Sequence, residues 1–340
     1  MKLDHILLSA LLLLGIAFNS DLQAQDPIFS QFYAAPLQLN PAFAGNNYAP
    51  RIAFNYRNQY PAWTSEGSAY ETYSASYDQY FEDINSGIGL LVLTDDAGNG
   101  ILKTNRLSAI YSYRLQLSRD FFAKLGVEGS FVQTQLDWDK LLFPDQIDPE
   151  AGPISPGGTP FPTTEVRPDD LTTSYFDIST GMLLYNDIFY GGVTLKHLNT
   201  PRESFLDIND NLNNGLPLRV SLHTGAQFNL QPNNKRDATA FISPNLMYVR
   251  QGDFQQMNVG AYAGAAFVYG GVWYRTTFTN ADAAIFLVGV RKDLFKIGYS
   301  YDLTISGLAG ETGGSHEISL AINFQRPNRV DLNDCFEMFR

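Results

Sequence analysis

The feature that most constrains this chain is a two-residue hydrophobic period, repeated in segments of about ten residues from residue 51 almost to the end. In 51–57, Ile52, Phe54 and Tyr56 fall on one side and Ala53, Asn55 and Arg57 on the other. In 107–117, Leu107, Ala109, Tyr111, Tyr113, Leu115 and Leu117 oppose Ser108, Ser112, Arg114 and Gln116. In 218–230, Leu218, Val220, Leu222, Ala226, Phe228 and Leu230 oppose Arg219, Ser221, His223, Gln227 and Asn229. The last such segment sets His316, Ile318, Leu320, Ile322 and Phe324 against Glu317, Ser319, Ala321 and Asn323. Successive side chains of a strand point to opposite faces, so this pattern specifies strands rather than helices. After residue 24 no run of about 18 apolar residues exists, as a membrane-crossing helix would require. A transmembrane β-barrel needs no such run, because its strands alternate lipid-facing apolar with lumen-facing polar side chains.

About fourteen segments fit, each of roughly ten residues, as a membrane strand requires. They start near residues 50, 68, 86, 102, 121, 174, 188, 217, 238, 256, 271, 283, 294 and 314. The weakest are 68–78 and 238–250, the latter interrupted by Pro244. With both termini in the periplasm, long connections should follow odd-numbered strands and short turns even-numbered ones. The long gaps 139–172, 199–216 and 304–313 follow strands five, seven and thirteen. Turns at Ser118-Arg119-Asp120, Tyr185-Asn186-Asp187, Gly270-Gly271 and Arg291-Lys292-Asp293 follow even ones. Tyr56, Tyr60, Trp63, Tyr77, Tyr80 and Phe81 lie near strand ends, where interfacial girdles form. A soluble sandwich or propeller would use strands of about five or six residues, and no repeat of blade length occurs. The expected fold is all-β: an antiparallel transmembrane β-barrel of about 14 strands with periplasmic termini.

The first 24 residues read as a cleaved export signal: Lys2, an apolar run from Ile6 to Phe18, and Leu22-Gln23-Ala24 ahead of a cut at Gln25. The expected organisation is a signal peptide at 1–24, an N-terminal periplasmic segment at 25–49, the barrel at 50–325 and a C-terminal periplasmic tail at 326–340. The expected place is the bacterial outer membrane, with the lipid bilayer as a partner. A net charge of -12 lacks the basic footprint that nucleic acid demands, so no nucleic-acid partner is expected. The single cysteine, Cys335, excludes an intrachain disulfide and is either an inert tail thiol or a site of mixed-disulfide formation or modification.

Motifs for chemistry are sparse. Asp207, Asn209 and Asn211 open like a calcium loop, but position six is Leu212 instead of Gly and position twelve is Leu218 instead of Glu. Asp95-Asp96 before Gly98 and Gly100 reads as a turn. The histidines after the signal are His197, His223 and His316, and no Gly-x-Ser-x-Gly elbow accompanies them. No phosphate loop or dinucleotide fingerprint occurs. No enzyme, cofactor or metal site is expected. Gly260, Gly264, Gly270 and Gly271 are read as relieving crowding at barrel bends. Arg57, Arg114, Lys124, Glu128, Lys196 and Arg219 are expected to face inward, lining a pore or locking a plug.

Two segments offer contact surfaces. Residues 25–45 carry Ile28, Phe29, Phe32, Tyr33, Leu37, Leu39 and Phe43, too apolar to stay bare in water. They should pack on the periplasmic mouth, enter the lumen, or dock a partner through Phe29, Phe32 and Tyr33. In 139–172, Leu141, Leu142, Phe143 and Phe161 stand among many Pro and Gly and suit either a docking surface or a lid folded into the barrel.

Two stretches carry a family resemblance. One runs Gln25-Asp26-Pro27-Ile28-Phe29-Ser30-Gln31-Phe32-Tyr33 and continues Pro36-Leu37-Gln38-Leu39-Asn40-Pro41-Ala42-Phe43-Ala44-Gly45. The other is Gly298-Tyr299-Ser300-Tyr301-Asp302 with Gly314-Ser315-His316-Glu317-Ile318-Ser319-Leu320. Together they resemble the PorP/SprF family of type IX secretion outer-membrane proteins. The family tail often has Cys-Pro-x-Phe, whereas this chain has Asp334-Cys335-Phe336. The resemblance implies a non-enzymatic barrel of Bacteroidota that works with type IX secretion components. It implies a role in exporting or attaching a large adhesin of the gliding-motility type, with the adhesin's C-terminal signal domain as partner. A passive porin for small solutes is the alternative.

Overall fold

The computed structural model describes residues 25–47, 49–62, 68–148, 161–205, 215–230, 240–307 and 309–324. The expected export signal at 1–24, Trp63, the calcium-like stretch Asp207 to Leu212, the middle of the 139–172 segment and Cys335 lie outside these residues. The described part is a closed antiparallel barrel of 14 strands. They are β1 (Arg51–Gln59), β2 (Tyr70–Phe81), β3 (Ser86–Ala97), β4 (Leu102–Gln116), β5 (Phe122–Leu136), β6 (Thr172–Tyr185) and β7 (Phe189–Lys196). Then follow β8 (Arg219–Ala226, continued by Phe228–Asn229), β9 (Ala240–Gln251), β10 (Phe254–Ala265), β11 (Val268–Thr276), β12 (Ala281–Lys292), β13 (Phe295–Thr304) and β14 (Ser315–Asn323). β14 pairs with both β13 and β1, so the sheet has no free edge.

Pro244 sits inside β9 because of a local accommodation. Its ladder to β10 is unbroken, whereas the ladder to β8 lapses opposite it and resumes in the same register at Ile242 with Phe228. A proline cannot donate to a ladder, and one interruption on one side absorbs that loss. The expected turn at Gly270-Gly271 is displaced. Both glycines lie within β11, paired to Ala263 and Tyr262, and the turn is Ala266-Phe267. A Cβ on Gly271 would meet the Trp273 ring at 2.3 Å, so this glycine makes room for a ring.

An even strand number brings the start of β1 and the end of β14 to one end, called the near end here. The connections 137–171 and 197–218 lie at the far end. The outer surface is apolar, with Leu90, Val92, Leu107, Val127, Phe286, Val288 and Ile318 among its exposed residues. That band suits hydrocarbon, not water. Tyr77 and Phe81 face outward, as girdle residues do, but Tyr80 is buried inside beneath the Arg114 guanidinium at 4.6 Å, and Tyr60 lines an interior cavity. The alternation explains Tyr80: it shares parity with inward Ser76 and Asp78.

Residues 25–47 lie inside the barrel. After an extended start they form a short helix, α1 (Pro36–Leu39), then a 3-10 turn (Pro41–Phe43), before leaving toward β1. Phe29, Phe32, Leu37, Leu39 and Phe43 are buried against the wall. Each such side chain contributes about 2 kcal/mol on leaving water, so the segment is a firmly seated plug.

Candidate functional site

The plug meets the wall in three places of different chemistry. Toward the near end, Asn40 caps the 3-10 turn by accepting from the Ala42 amide at 2.8 Å. Its amide nitrogen donates to the carbonyls of Met182 (3.1 Å) and Val193 (3.2 Å) on β6 and β7. The wall is stripped of side chains here. A Cβ on Gly126 would lie 2.3 Å from the Ala42 nitrogen, one on Gly87 2.0 Å from the Ala44 oxygen, and one on Gly181 2.0 Å from Asn40 Oδ1. Glycine is what permits backbone to approach backbone this closely. Lys124 Nζ and Ser112 Oγ donate to the Ala44 carbonyl at 2.8 and 2.7 Å, and Asp78, itself paired with Arg51, accepts from the Gly45 amide at 3.0 Å.

Mid-barrel, the plug runs over a charged bed on one side and an aromatic one on the other. The Ser30 and Gln31 amides donate to the two Glu317 carboxylate oxygens at 2.6 and 2.8 Å. Ser30 Oγ donates to Asp302 at 2.5 Å. Gln31 donates to Ser300 Oγ and accepts from Ser319 Oγ, at 3.0 and 2.7 Å. Arg57 joins Glu317 and Asp302, and Arg275 joins Asp302 and Asp282, so the buried carboxylates are paired. Opposite, Tyr33 stacks on Trp273 at 5.7 Å, and Phe32 meets the same indole edge-on at 6.4 Å.

At the inner end of the plug, Asp26 is the bridging anion. Its carboxylate lies 3.4 Å from Arg106, 3.2 Å from Arg219 and 2.9 Å from His197 Nε2, whose Nδ1 faces Asp177 at 3.1 Å. His197 follows β7 with φ 61°, the backbone turn that aims its ring into the lumen. Above Asp26 a cavity of about 560 Å³ opens toward the far end, floored by Gln25 to Ile28 and walled by strand ends that include Tyr60, Tyr70, Tyr175 and Phe254.

The structure thus brings together residues that the sequence leaves far apart. Of the inward charges, Arg57 and Lys124 hold the plug directly, and Arg219 holds Asp26. Glu128 faces Lys196 at 3.9 Å. The two family-like stretches form one site, Ser30 and Gln31 lying on Asp302 and Glu317. Phe29, Phe32 and Tyr33 are covered by the barrel wall. The far-end residues stand apart: Leu142 is exposed, Phe143 packs on Trp138 at 4.9 Å, and the Phe161 carbonyl accepts from Gln146 at 2.7 Å. Leu141 is half-buried. None of the described residues of 137–171 lines the cavity. His316 lies between the rings of Tyr299 and Tyr301 and pairs with the Tyr299 hydroxyl at 2.8 Å. Sequence reasoning passed over Asp26, Arg106, Asp177 and Arg275 as functional residues, and also the seats Gly87, Gly126 and Gly181. A signal for the seats existed: isolated glycines at inward positions of long strands mark close approach of another chain segment.

Among solved structures, the toluene transporter TbuX of Ralstonia pickettii is similar at TM-score 0.49 and 11% identity, over 86% of this chain and 94% of that one. Omp33 of Acinetobacter baumannii is similar at TM-score 0.43 and 9% identity, over 82% of this chain and 100% of that one. No curated protein is significantly similar. The family model for the type IX secretion system membrane protein PorP/SprF matches residues 21–322, nearly all of the chain and both stretches that meet in the lumen. The chain belongs to the PorP/SprF family of type IX secretion system membrane proteins, built as an outer-membrane β-barrel.

Proposed function

We propose that this barrel assists export or surface attachment of a large adhesin of the gliding-motility type, acting by binding and not by catalysis. The observation that carries this reading is the filled lumen. A barrel occupied by its own buried segment, hydrogen-bonded around the wall, is poorly suited to passing solutes. What it offers instead is a far end with long connections and a vestibule. In this reading the near end, where β1 starts and β14 ends, faces the periplasm and the secretion components. The far end meets the adhesin's C-terminal signal domain outside, with Leu141, Leu142, Phe143 and Phe161 as the contact points. The segment 25–45 serves as a plug after removal of a leader at 1–24.

Affinity capture of the tagged barrel from detergent-solubilised outer membranes, read by mass spectrometry, tests this. Recovery of a large exported surface protein, lost on deleting 139–172, is the expected result. Recovery of the barrel alone, with large ohmic conductance in a planar bilayer, would return the assignment to a passive porin.

A further inference from the structure

We infer that the vestibule is a binding site for a peptide carboxylate, and that Asp26 occupies it as an internal stand-in. The argument starts from charge. Arg106, Lys196 and Arg219 are buried cations at the cavity floor, each contributed by a barrel strand or its edge. The wall supplies two buried carboxylates near them, Asp177 and Glu128, which lie 3.7 Å from Arg106 and 3.9 Å from Lys196. Arg106 and Lys196 thus face wall carboxylates, whereas among the described residues Arg219 pairs with none, and a buried charge without a partner is costly. Asp26 supplies that partner, and Asp26 belongs to the plug instead of the wall. The fit is incomplete. Among the described residues, Arg219 Nε and Gln251 Nε2 are buried beside Asp26 with no hydrogen-bond partner, and Lys196 has no carboxylate closer than 3.9 Å.

The space above fits an incoming chain. About 560 Å³ falls within the range of ligand pockets. Among the described residues, Asp95 and Glu203 on its wall accept from threonine hydroxyls alone, Thr72 at 2.6 Å and Thr134 at 2.7 Å. They leave acceptor capacity for the amides of a peptide whose carboxylate points to the floor. The bed around Ser30 and Gln31 differs, since its carboxylates already engage both plug and arginines. The inference rests on the export reading only for the source of the peptide, because binding in vitro stands or falls on the floor chemistry alone.

The test uses the whole purified barrel in detergent and a dye-labelled triglycine with a free terminal carboxylate, followed by fluorescence anisotropy. Asp26→Asn removes the internal competitor, so the free acid should bind this variant at least tenfold more tightly than the unaltered protein. The C-terminal amide of the same peptide should bind neither. Arg219→Gln placed in the Asp26→Asn background should abolish the gain. Equal binding of acid and amide, or no gain with Asp26→Asn, overturns the proposal. Displacement of the peptide by glutarate at equal concentration assigns the site to small acids and overturns the peptide assignment. Should Asp26→Asn fail to fold, millimolar titration of unaltered and Arg219→Gln proteins decides, since only the former should bind.

Discussion

The two ends of the plug are fastened by different physics. Around Asn40 to Gly45 the contacts are steric and mostly uncharged: wall glycines let backbone meet backbone, and side-chain amide, hydroxyl and lysine groups close the remaining valences. Around Asp26 to Gln31 the contacts are carboxylates and guanidinium groups. A shape-based seat has no substitute occupant, because only this backbone fits it. A charge-based seat accepts any group of the same charge that reaches it. The first end therefore reads as a fixed anchor and the second as the end whose partners can be exchanged.

The comparison breaks most severely at the charged end. Glu317→Ala should cost about 3–5 kcal/mol, since it leaves the buried Arg57 with Asp302 as its one carboxylate and strands two plug amides. Urea unfolding followed by loss of the folded gel band measures it. Gly126→Ala attacks the steric end and should cost about 3 kcal/mol, because the methyl group would fall on plug backbone that has nowhere to move. The same variant should raise single-channel conductance if the plug is dislodged, and an unchanged closed barrel would show that the seat yields. Asn40→Ala should cost about 1–2 kcal/mol through loss of the turn cap and the donors to Met182 and Val193. The protection of the Ala42 amide against hydrogen exchange should fall with it.

The smallest effect lies outside the lumen. The Thr164 amide, with the Thr163 and Thr164 hydroxyls, holds the exposed Asp145 carboxyl below its usual value of 3.8. A depressed carboxylate contributes above its unfolded value and loses that contribution as pH falls through the folded one. Proteolysis within 137–171 should therefore quicken only below about pH 4, with the barrel intact, and Asp145→Asn should quicken it at neutral pH.

Much of the barrel was legible. Fourteen strand starts lie within three residues of their expected places, for example 68 against Tyr70 and 271 against Val268. Strand alternation is a local property, and a one-residue error would exchange lumen for lipid. Tyr80 and Gly270-Gly271 were misread because an aromatic near a strand end and a glycine pair each have two structural uses. Only neighbours such as Arg114 and Trp273 decide between them.

The sequence by itself determined that this chain closes as a membrane barrel, which side of each strand meets lipid, and that residues 25–45 must find cover. Those follow from period and composition, which any short window contains. Only the tertiary structure decided where the cover is. Ser30 rests on Glu317 across 287 positions, and Asp26 on Arg219 across 193. No local pattern carries such a pairing, because barrel closure alone brings the charges of distant strands around one short segment.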